Sequence, residues 1–177
     1  MNKILVFSDL HGDIDSLALL LKRVREEHVD CMLCAGDLGL DRLGMHRESL
    51  RSLTIPFFVV RGNCDSPWVF AETGFIVPTR YYMEHLGERT ICMTHGDVIQ
   101  DWKAFPFPMD ERDIFISGHT HVALLDKKRG SPIMLNPGSA SSPRNNRAPS
   151  YAIVENHNIS IKEIRTGRIM KKLLITE

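Results

Sequence analysis

The sequence predicts an α/β fold in which two mixed β-sheets pack face to face as a sandwich, flanked by helices. Two observations lead to this prediction. The first half of the chain alternates short apolar runs with a segment whose leucines recur at helical spacing, which is typical of a β-α-β unit. The second half is a series of apolar runs separated by short turns, which is typical of hairpins. Two sheets accommodate both patterns in one domain spanning residues 1–177.

Three strands and two helices are predicted in the first half. The helix over residues 14–27 has Leu17 and Leu20 on one face, and Asp13 stands where it can cap the first turn. A second helix is expected over residues 46–53. Strands joined through a helix run parallel, with a right-handed crossover. The predicted strands are residues 3–8, 31–35 and 56–60.

The second half is predicted to consist of strands joined by turns. Leu86-Gly87-Glu88 and Lys128-Arg129-Gly130 each separate two runs of β-forming residues. Residues 139–149 are rich in Ser, Pro, Asn and Arg, and we interpret them as a surface loop. The predicted strands are residues 89–94, 113–117, 122–126, 133–135, 151–155, 159–165 and 169–175.

The composition narrows the function before any motif is considered. Lys and Arg number 22, and Asp and Glu also number 22, so the formal net charge is zero. A long nucleic acid is therefore not the expected partner, because binding a polyanion depends on an excess of basic residues. The apolar run at residues 4–7 is too short for a signal-peptide core or a membrane span, so we expect a cytoplasmic protein with no membrane partner.

The four cysteines are expected to be reduced thiols in that compartment. Cys31 and Cys34 have the spacing of half a zinc site. However, they lie inside the apolar stretch 29–35, and no second pair follows. Buried strand cysteines are therefore favoured over a zinc site.

One pattern recurs after five of the predicted strands: a glycine stands beside a carboxylate, amide or imidazole side chain. Because ligands of α/β folds bind at the carboxyl ends of strands, we expect these five segments to meet at one site. Glycine lets the chain turn sharply and approach such a site closely. The segments are Asp9-Leu10-His11-Gly12, Gly36-Asp37, Gly62-Asn63-Cys64-Asp65, His95-Gly96-Asp97 and Gly118-His119-Thr120-His121.

The side chains at these strand ends predict a metal centre. They form a mixed oxygen and nitrogen set, which suits Mn, Fe, Zn, Co or Ni better than Ca or Mg. Seven side chains exceed the four ligands of a structural zinc site. They fit two divalent cations about 3.5–4 Å apart that share one carboxylate, as in two-metal hydrolases. The candidate ligands are Asp9, His11, Asp37, Asn63, His95, His119 and His121.

In this order, the five segments resemble the calcineurin-like metallophosphoesterase superfamily. Cys64, the small size of the chain and the segment Asn136-Pro137-Gly138-Ser139 resemble its compact YfcE-type phosphodiesterase branch. The similarity spans residues 3–165. It implies a four-layer αββα fold and an enzyme that hydrolyses small phosphodiesters.

The resemblance also implies roles for the ligands. Asp37 would bridge two divalent cations, with manganese favoured and Ni, Fe, Co or Zn as alternatives. One cation would be held by Asp9, His11 and His121, and the other by Asn63, His95 and His119. The cations would lower the pKa of a bridging water, and the hydroxide would attack phosphorus, with Asp37 and Asn63 as the catalytic residues. The imidazoles must be neutral to bind metal, so activity is expected to fall as the pH drops through the histidine range.

Neighbouring residues have two interpretations each. Many superfamily members have His where this chain has Cys64, and that His is thought to protonate the leaving group. Either stable, aryl-type leaving groups are preferred here, or Cys64 packs beneath the turn. Asp97, where the compact branch often has His, is either a hydrogen-bond partner of a ligand His or a solvated turn residue. Arg144 and Arg147 either contact a substrate phosphate or are solvated.

An aromatic segment, residues 100–113, follows the fourth motif. Its members Trp102, Phe105 and Phe107 are expected either to stack a nucleobase or aryl group, or to cover the edge of the core.

Other functions stay open at this point. A retromer subunit shares the implied fold and acts chiefly as a protein-interaction scaffold, so the fold alone does not establish catalysis. The complete set of seven metal-competent residues favours an enzyme, because a scaffold can lose ligands freely. A phosphomonoesterase or nucleotidase fits the same ligands, and a homo-oligomer is compatible with the sequence.

Overall fold

The computed structural model describes residues 3–175, in which eleven strands form two mixed sheets. The strands are β1 (Lys3–Phe7), β2 (Cys31–Cys34), β3 (Phe57–Val59), β4 (Tyr81–Leu86), β5 (Arg89–Thr94), β6 (Ile114–Ile116), β7 (Leu124–Asp126), β8 (Ile133–Asn136), β9 (Ser150–Glu155), β10 (Asn158–Glu163) and β11 (Ile169–Leu174). One sheet has the order β11-β10-β9-β1-β2-β3, and the other has the order β4-β5-β6-β8-β7. The predicted sandwich of two mixed sheets is therefore confirmed.

The helices are α1 (Ile14–Glu27), α2 (Glu48–Arg51) and α3 (Pro67–Glu72). The bounds of α1 are as predicted, and the Asp13 carboxylate caps it by accepting from the backbone N–H of Ser16 at 2.8 Å. The helix predicted over residues 46–53 is shorter, because the chain first makes a 3-10 turn over Gly44–Arg47. The sequence analysis missed α3, since six residues are too few to show a helical period.

Alternate residues along the strands build two apolar layers. Ile4 and Val6 of β1 face Ile91 and Met93 of β5 between the sheets. On the outer face of the six-stranded sheet, Leu5 and its alternate neighbours pack against apolar side chains of all three helices. This alternation also separates Cys31, which faces the interior of the sandwich, from Cys34, which faces the helices. The two thiols therefore cannot share a zinc ion.

The outer face of the five-stranded sheet is covered by the aromatic segment. Phe105 is only 6% exposed and packs edge-on against Phe115 of β6, with ring centroids 6.2 Å apart. This segment contains a single 3-10 turn, Trp102–Ala104, where a four-layer fold has helices. Of the two roles predicted for the aromatic segment, Phe105 therefore has the role of covering the core. No helix within residues 3–175 has both the length and the apolar character needed to cross a membrane.

The functional edge of the sandwich is fixed by its parallel strands. In one sheet β1, β2 and β3 run parallel, and in the other β5, β6 and β8 run parallel. The segments that follow β2 and β5 meet across the sandwich, where the Nδ1 of His95 donates to the carbonyl of Ala35 at 2.8 Å. The carboxyl ends of both sets of strands therefore lie at one end of the molecule, as expected from the motifs.

Candidate metal centre

The seven predicted ligands come together at this end of the sandwich in two groups. The first group contains Asp9, His11 and His121. The Nε2 of His121 lies 3.3 Å from the Oδ1 of Asp9 and 3.3 Å from the Nε2 of His11. Three atoms that can each bind a cation thus surround one point.

The second group is centred on the side-chain oxygen of Asn63. Its Oδ1 lies 3.1 Å from the Nε2 of His95 and 3.0 Å from the Nδ1 of His119. The turn that carries His119 is tied to the first group, because the backbone N–H of His119 donates to the Oδ2 of Asp9 at 3.1 Å.

Asp37 lies between the two groups. Its Oδ2 is 3.9 Å from the Nε2 of His11 and 3.5 Å from the Nε2 of His95, one imidazole from each group. Its Oδ1 accepts from the backbone N–H of Cys64 at 2.8 Å. Burial acts to raise the pKa of Asp37, but hydrogen bonds from His95 and the Cys64 backbone outweigh it and lower the pKa.

Hydrogen bonds on the far side of two imidazoles fix which nitrogen faces the site. The Nδ1 of His121 donates to the carbonyl of Ser142 at 2.7 Å, and that of His95 donates to Ala35. When neutral, each ring therefore presents a lone pair at Nε2, since a neutral imidazole carries one hydrogen. Burial acts to lower the pKa of His95, but its hydrogen bonds to Asp37 and Ala35 outweigh burial and raise the pKa, so a proton can occupy its Nε2 when no metal is bound. A carbonyl or carboxylate behind a histidine is the usual way to orient a metal ligand.

The donor set fits divalent cations on this evidence. The lone pair of His121 faces the Oδ1 of Asp9, which is buried and has no hydrogen-bond partner in the structure. The lone pair of His95 likewise faces the oxygen of Asn63. Two acceptors at hydrogen-bond distance repel each other unless a cation or a proton stands between them. Burial also raises the pKa of Asp9, although the side chain of Ser8 and the imidazoles of His95 and His121 act to lower it.

The ligands sit on an unusual backbone. Among residues 3–175, eight residues other than glycine have positive φ, and five of them are predicted ligands. These five are Asp9, His11, Asp37, His119 and His121, with φ between 51° and 65°. Left-handed backbone is unfavourable for residues with a Cβ and concentrates at functional sites. The surrounding structure must therefore hold these side chains against their local preference.

Asp65 supplies much of that support, although it is not one of the predicted ligands. It is buried, and its carboxylate accepts the backbone N–H groups of Asp37 at 2.8 Å, Gly39 at 3.2 Å and Gly62 at 3.0 Å. Burial raises its pKa in spite of these bonds. One side chain thus joins the turns after β2 and β3. No sequence signal separates it from an ordinary turn Asp, because its partners come from distant segments.

The segment after β8 supports the ligands from the other side. Asn136 donates to the carbonyl of Gly118 at 2.7 Å, next to His119. Ser139 and Ser141 both donate to the backbone carbonyl of Asp9, at 2.8 and 3.1 Å. The segment that carried part of the family resemblance therefore fixes the backbone of Asp9 and His119.

Three further candidate residues lie around the ligands, and each has a different environment. Cys64 is exposed, so it does not pack beneath the turn, and burial together with the Asp37 carboxylate raises the pKa of its thiol to about 11. Asp97 was expected to contact a ligand His or to be solvated. Instead Gly96, at φ 103°, turns the chain so that Asp97 forms an ion pair with Arg80 at 2.9 Å. Arg144 is exposed and follows the loop that contacts His121.

Comparison with known proteins relates this arrangement to a family. The calcineurin-like phosphoesterase superfamily domain matches residues 2–158 of the chain. A relative named probable metallophosphoesterase YsnB, from Bacillus subtilis, is 32% identical, with 88% of this chain and 85% of that protein covered. Phosphodiesterase YfcE from Escherichia coli is 24% identical over 99% of each chain.

Solved structures show the same fold. The structure of the E. coli phosphoesterase YfcE superposes with a TM-score of 0.84 at 22% identity, covering 98% of this chain and 100% of that one. A Vps29 from Entamoeba histolytica superposes with a TM-score of 0.68 at 25% identity, covering 98% of this chain and 99% of that one. One of these two neighbours is described as an enzyme, so the ligand geometry has to decide what this chain does.

Proposed function

The chain belongs to the calcineurin-like phosphoesterase superfamily, and from this premise we propose that it is a dinuclear-metal phosphodiesterase acting on small substrates. The observation that supports this proposal most strongly is the pairing of acceptors in the candidate site. The Nε2 of His121 faces the orphaned Oδ1 of Asp9, and the Nε2 of His95 faces the Oδ1 of Asn63. A scaffold has no need of two such arrangements, each of which requires either a bound cation or a protonated imidazole.

In the proposed site, Asp9, His11 and His121 would hold one cation, Asn63, His95 and His119 would hold the other, and Asp37 would serve both. Two divalent cations would supply charge neutralisation at phosphoryl oxygens and would make a water nucleophilic near neutral pH. We propose manganese as the preferred ion, with Fe, Co, Ni or Zn as alternatives, because the ligands mix nitrogen and oxygen.

The protein's own residues position and bind the reacting groups. Asp37 remains ionised because its pKa is lowered, so it presents a negative charge to both halves of the site. The amide of Asn63 donates from its Nδ2 to the sulfur of Cys64 at 3.3 Å, which directs its oxygen toward the imidazoles. The Cys64 thiol, with its raised pKa, is a weak acid for protonating a leaving group. This supports a preference for leaving groups that are stable as anions.

Two further proposals concern the cellular compartment and a competing function. The four cysteines of the described chain are free thiols, which supports a reducing compartment such as the cytoplasm. The Vps29 neighbour favours one competing function, a protein-interaction scaffold on the same fold.

The test is hydrolysis by purified protein of bis(p-nitrophenyl) phosphate and of p-nitrophenyl phosphate, with each of the five metals and with metal analysis. We expect the diester to be hydrolysed faster, most rapidly with Mn²⁺. The matched control is Asp37→Asn, which keeps an oxygen for the Cys64 N–H but removes the shared charge, and we expect it to lose about 10³-fold in kcat/KM.

Each outcome separates the candidates. Diester hydrolysis no faster than that of the Asp37→Asn protein, with every metal at saturation, contradicts the enzyme proposal and leaves the scaffold. Faster hydrolysis of the monoester contradicts the diester preference and supports a phosphomonoesterase.

A further inference from the structure

We propose that Arg144 and Arg147 form a clamp for a second phosphate of the substrate, so that the natural substrate is a phosphodiester with a further phosphate group next to the scissile one. The inference rests on the proposed function for the scissile bond, but the clamp itself is made of protein side chains.

The clamp lies beside a metal ligand. The loop that contains it is tied to His121 by two hydrogen bonds. The Nδ1 of His121 donates to the carbonyl of Ser142 at 2.7 Å, and the backbone N–H of Arg144 donates to the carbonyl of His121 at 3.1 Å. Arg144 therefore starts from a fixed point at the rim of the candidate metal centre.

A tight turn brings the second arginine to the first. The backbone N–H of Arg147 donates to the carbonyl of Arg144 at 3.4 Å, and the two residues between them, Asn145 and Asn146, have φ of 60° and 52°. Two successive left-handed residues define a type I′ turn, for which Asn is a preferred residue. Residues at the ends of such a turn have Cα atoms within about 7 Å of each other.

The two guanidinium groups are exposed and have no ion pair or side-chain hydrogen bond in the part of the chain that the structure describes. Some other exposed arginines are neutralised locally, as Arg51 is by Glu48 and Arg112 is by Asp110, whereas Arg129, at the other end of the sandwich, has no ion pair among the described residues. Placing two like charges at the ends of one rigid turn is unfavourable unless an anion joins them. Guanidinium groups match phosphate oxygens with paired hydrogen bonds.

The position of the clamp indicates a second group and not the scissile one. The seven candidate ligands surround the space for the reacting phosphoryl group, whereas the backbone of Arg144 is held at the carbonyl of His121, outside that set. A chain with 22 basic and 22 acidic residues has no general attraction for anions. The two unpaired arginines would provide a local attraction for anions at this rim.

The experiment compares two substrates that differ by one phosphate: dithymidine phosphodiester with and without a terminal 5′-phosphate. We expect kcat/KM with Mn²⁺ to be about 10-fold higher for the phosphorylated form, the value of one charge-assisted contact. In the double variant Arg144→Ala/Arg147→Ala the ratio should fall to about 1, and in Arg144→Lys/Arg147→Lys it should be intermediate, because lysine keeps the charge without the paired geometry. The matched control is Arg129→Ala, an exposed arginine without an ion pair at the other end of the sandwich, which should keep the ratio.

Binding separates failure of the clamp from failure of the proposed function. Dissociation constants of the same two dinucleotides are measured by calorimetry on chelator-treated protein, where no hydrolysis occurs. Tighter binding of the phosphorylated form by the wild type, lost in the double alanine variant, supports the clamp even if no ester is cleaved. Equal ratios in the wild type and the double variant, in both measurements, overturn the clamp even if both dinucleotides are hydrolysed.

Discussion

The two ends of the sandwich differ in which residues occupy left-handed backbone. The site end, at the carboxyl ends of the parallel strands, places Asp9, His11 and Asp37 in left-handed backbone. At the turn end, opposite to it, glycine takes left-handed positions such as Gly87 with φ 62° and Gly130 with φ 73°, with His28 after α1 as an exception at φ 51°. Left-handed backbone at residues with a Cβ is therefore concentrated at the site end.

Carboxylates differ between the ends in the same sense. At the site end Asp9 is fully buried, its Oδ1 has no hydrogen-bond partner, and burial raises its pKa. At the turn end Glu155 accepts from Lys3 at 3.0 Å and from Asn158 at 2.7 Å. Burial acts to raise the pKa of Glu155 as well, but these two partners outweigh it and lower the pKa. This difference is expected if, as proposed, the site end gives up stability to keep groups available for cations.

The largest expected effect is the loss of stability when alanine replaces a glycine at the site end, compared with the same replacement at the turn end. A Cβ at Gly62 would lie 2.1 Å from the Oδ1 and 2.4 Å from the backbone nitrogen of Asp37, whereas a Cβ at Gly130 would meet nothing within 4 Å. We expect Gly62→Ala to lower the free energy of unfolding by about 3 kcal/mol and to weaken Mn²⁺ binding. Gly130→Ala should cost about 1 kcal/mol, from its left-handed backbone alone. Urea unfolding and Mn²⁺ titration measure both, and equal losses would contradict the contrast between the ends.

A gain in stability is expected when the buried negative charge of Asp9 is removed. In Asp9→Asn, the oxygen can keep the N–H of His119, and the new amide can donate to the Nε2 of His121. The metal-free protein should therefore become more stable by about 1–3 kcal/mol. Added Mn²⁺ should raise the melting temperature of the wild type and leave that of the variant nearly unchanged.

The pH dependence of this gain has a definite sign. Because the pKa of Asp9 is raised in the folded state, the metal-free wild type loses stability as the pH rises from the ordinary Asp range to the raised pKa. The stability difference between Asp9→Asn and wild type should accordingly grow with pH in chelator-treated samples. A difference that stays constant from acid to neutral pH would show that burial of the charge is not its origin.

The smallest effect is expected at the turn end. Glu155 has a lowered pKa in the folded state, so its contribution is present at neutral pH and is lost as the pH falls through that lowered pKa. Its ion pair with Lys3 is partly exposed, and Glu155→Gln should cost about 0.5 kcal/mol at pH 7. Thermal unfolding at pH 7 and in acid checks this, and a cost that increases in acid would reverse the assignment.

The sequence was most informative where buried strands lead directly into motifs. The strands β1 and β2 are continuous apolar runs, and their predicted bounds differ from the observed ones by one residue at the carboxyl end. The glycine-containing segments after the strands predicted which side chains come together, because parallel strands share an edge.

What the sequence could not reveal depends on contacts between distant segments. The role of Asp65 requires the backbone of Asp37 and Gly39, which come 26 to 28 residues earlier. The cover of the second sheet depends on Phe105 reaching Phe115, and apolar residues in a proline-rich segment have no period to reveal it. Left-handed backbone at His119 and His121 runs against local preference, so no propensity predicts it.

The hydrogen bond between His95 and Ala35 has a consequence for how the molecule forms. It joins the ends of β5 and β2, which belong to different sheets, and the ligands as a whole extend from position 9 to position 121. Contacts so distant along the chain form late in folding, after the local β-α-β unit around α1. In the proposed metal site, affinity for a divalent cation would therefore arise only when the two sheets dock, so we expect the uptake of added cation during refolding to follow this last step and not the growth of either sheet.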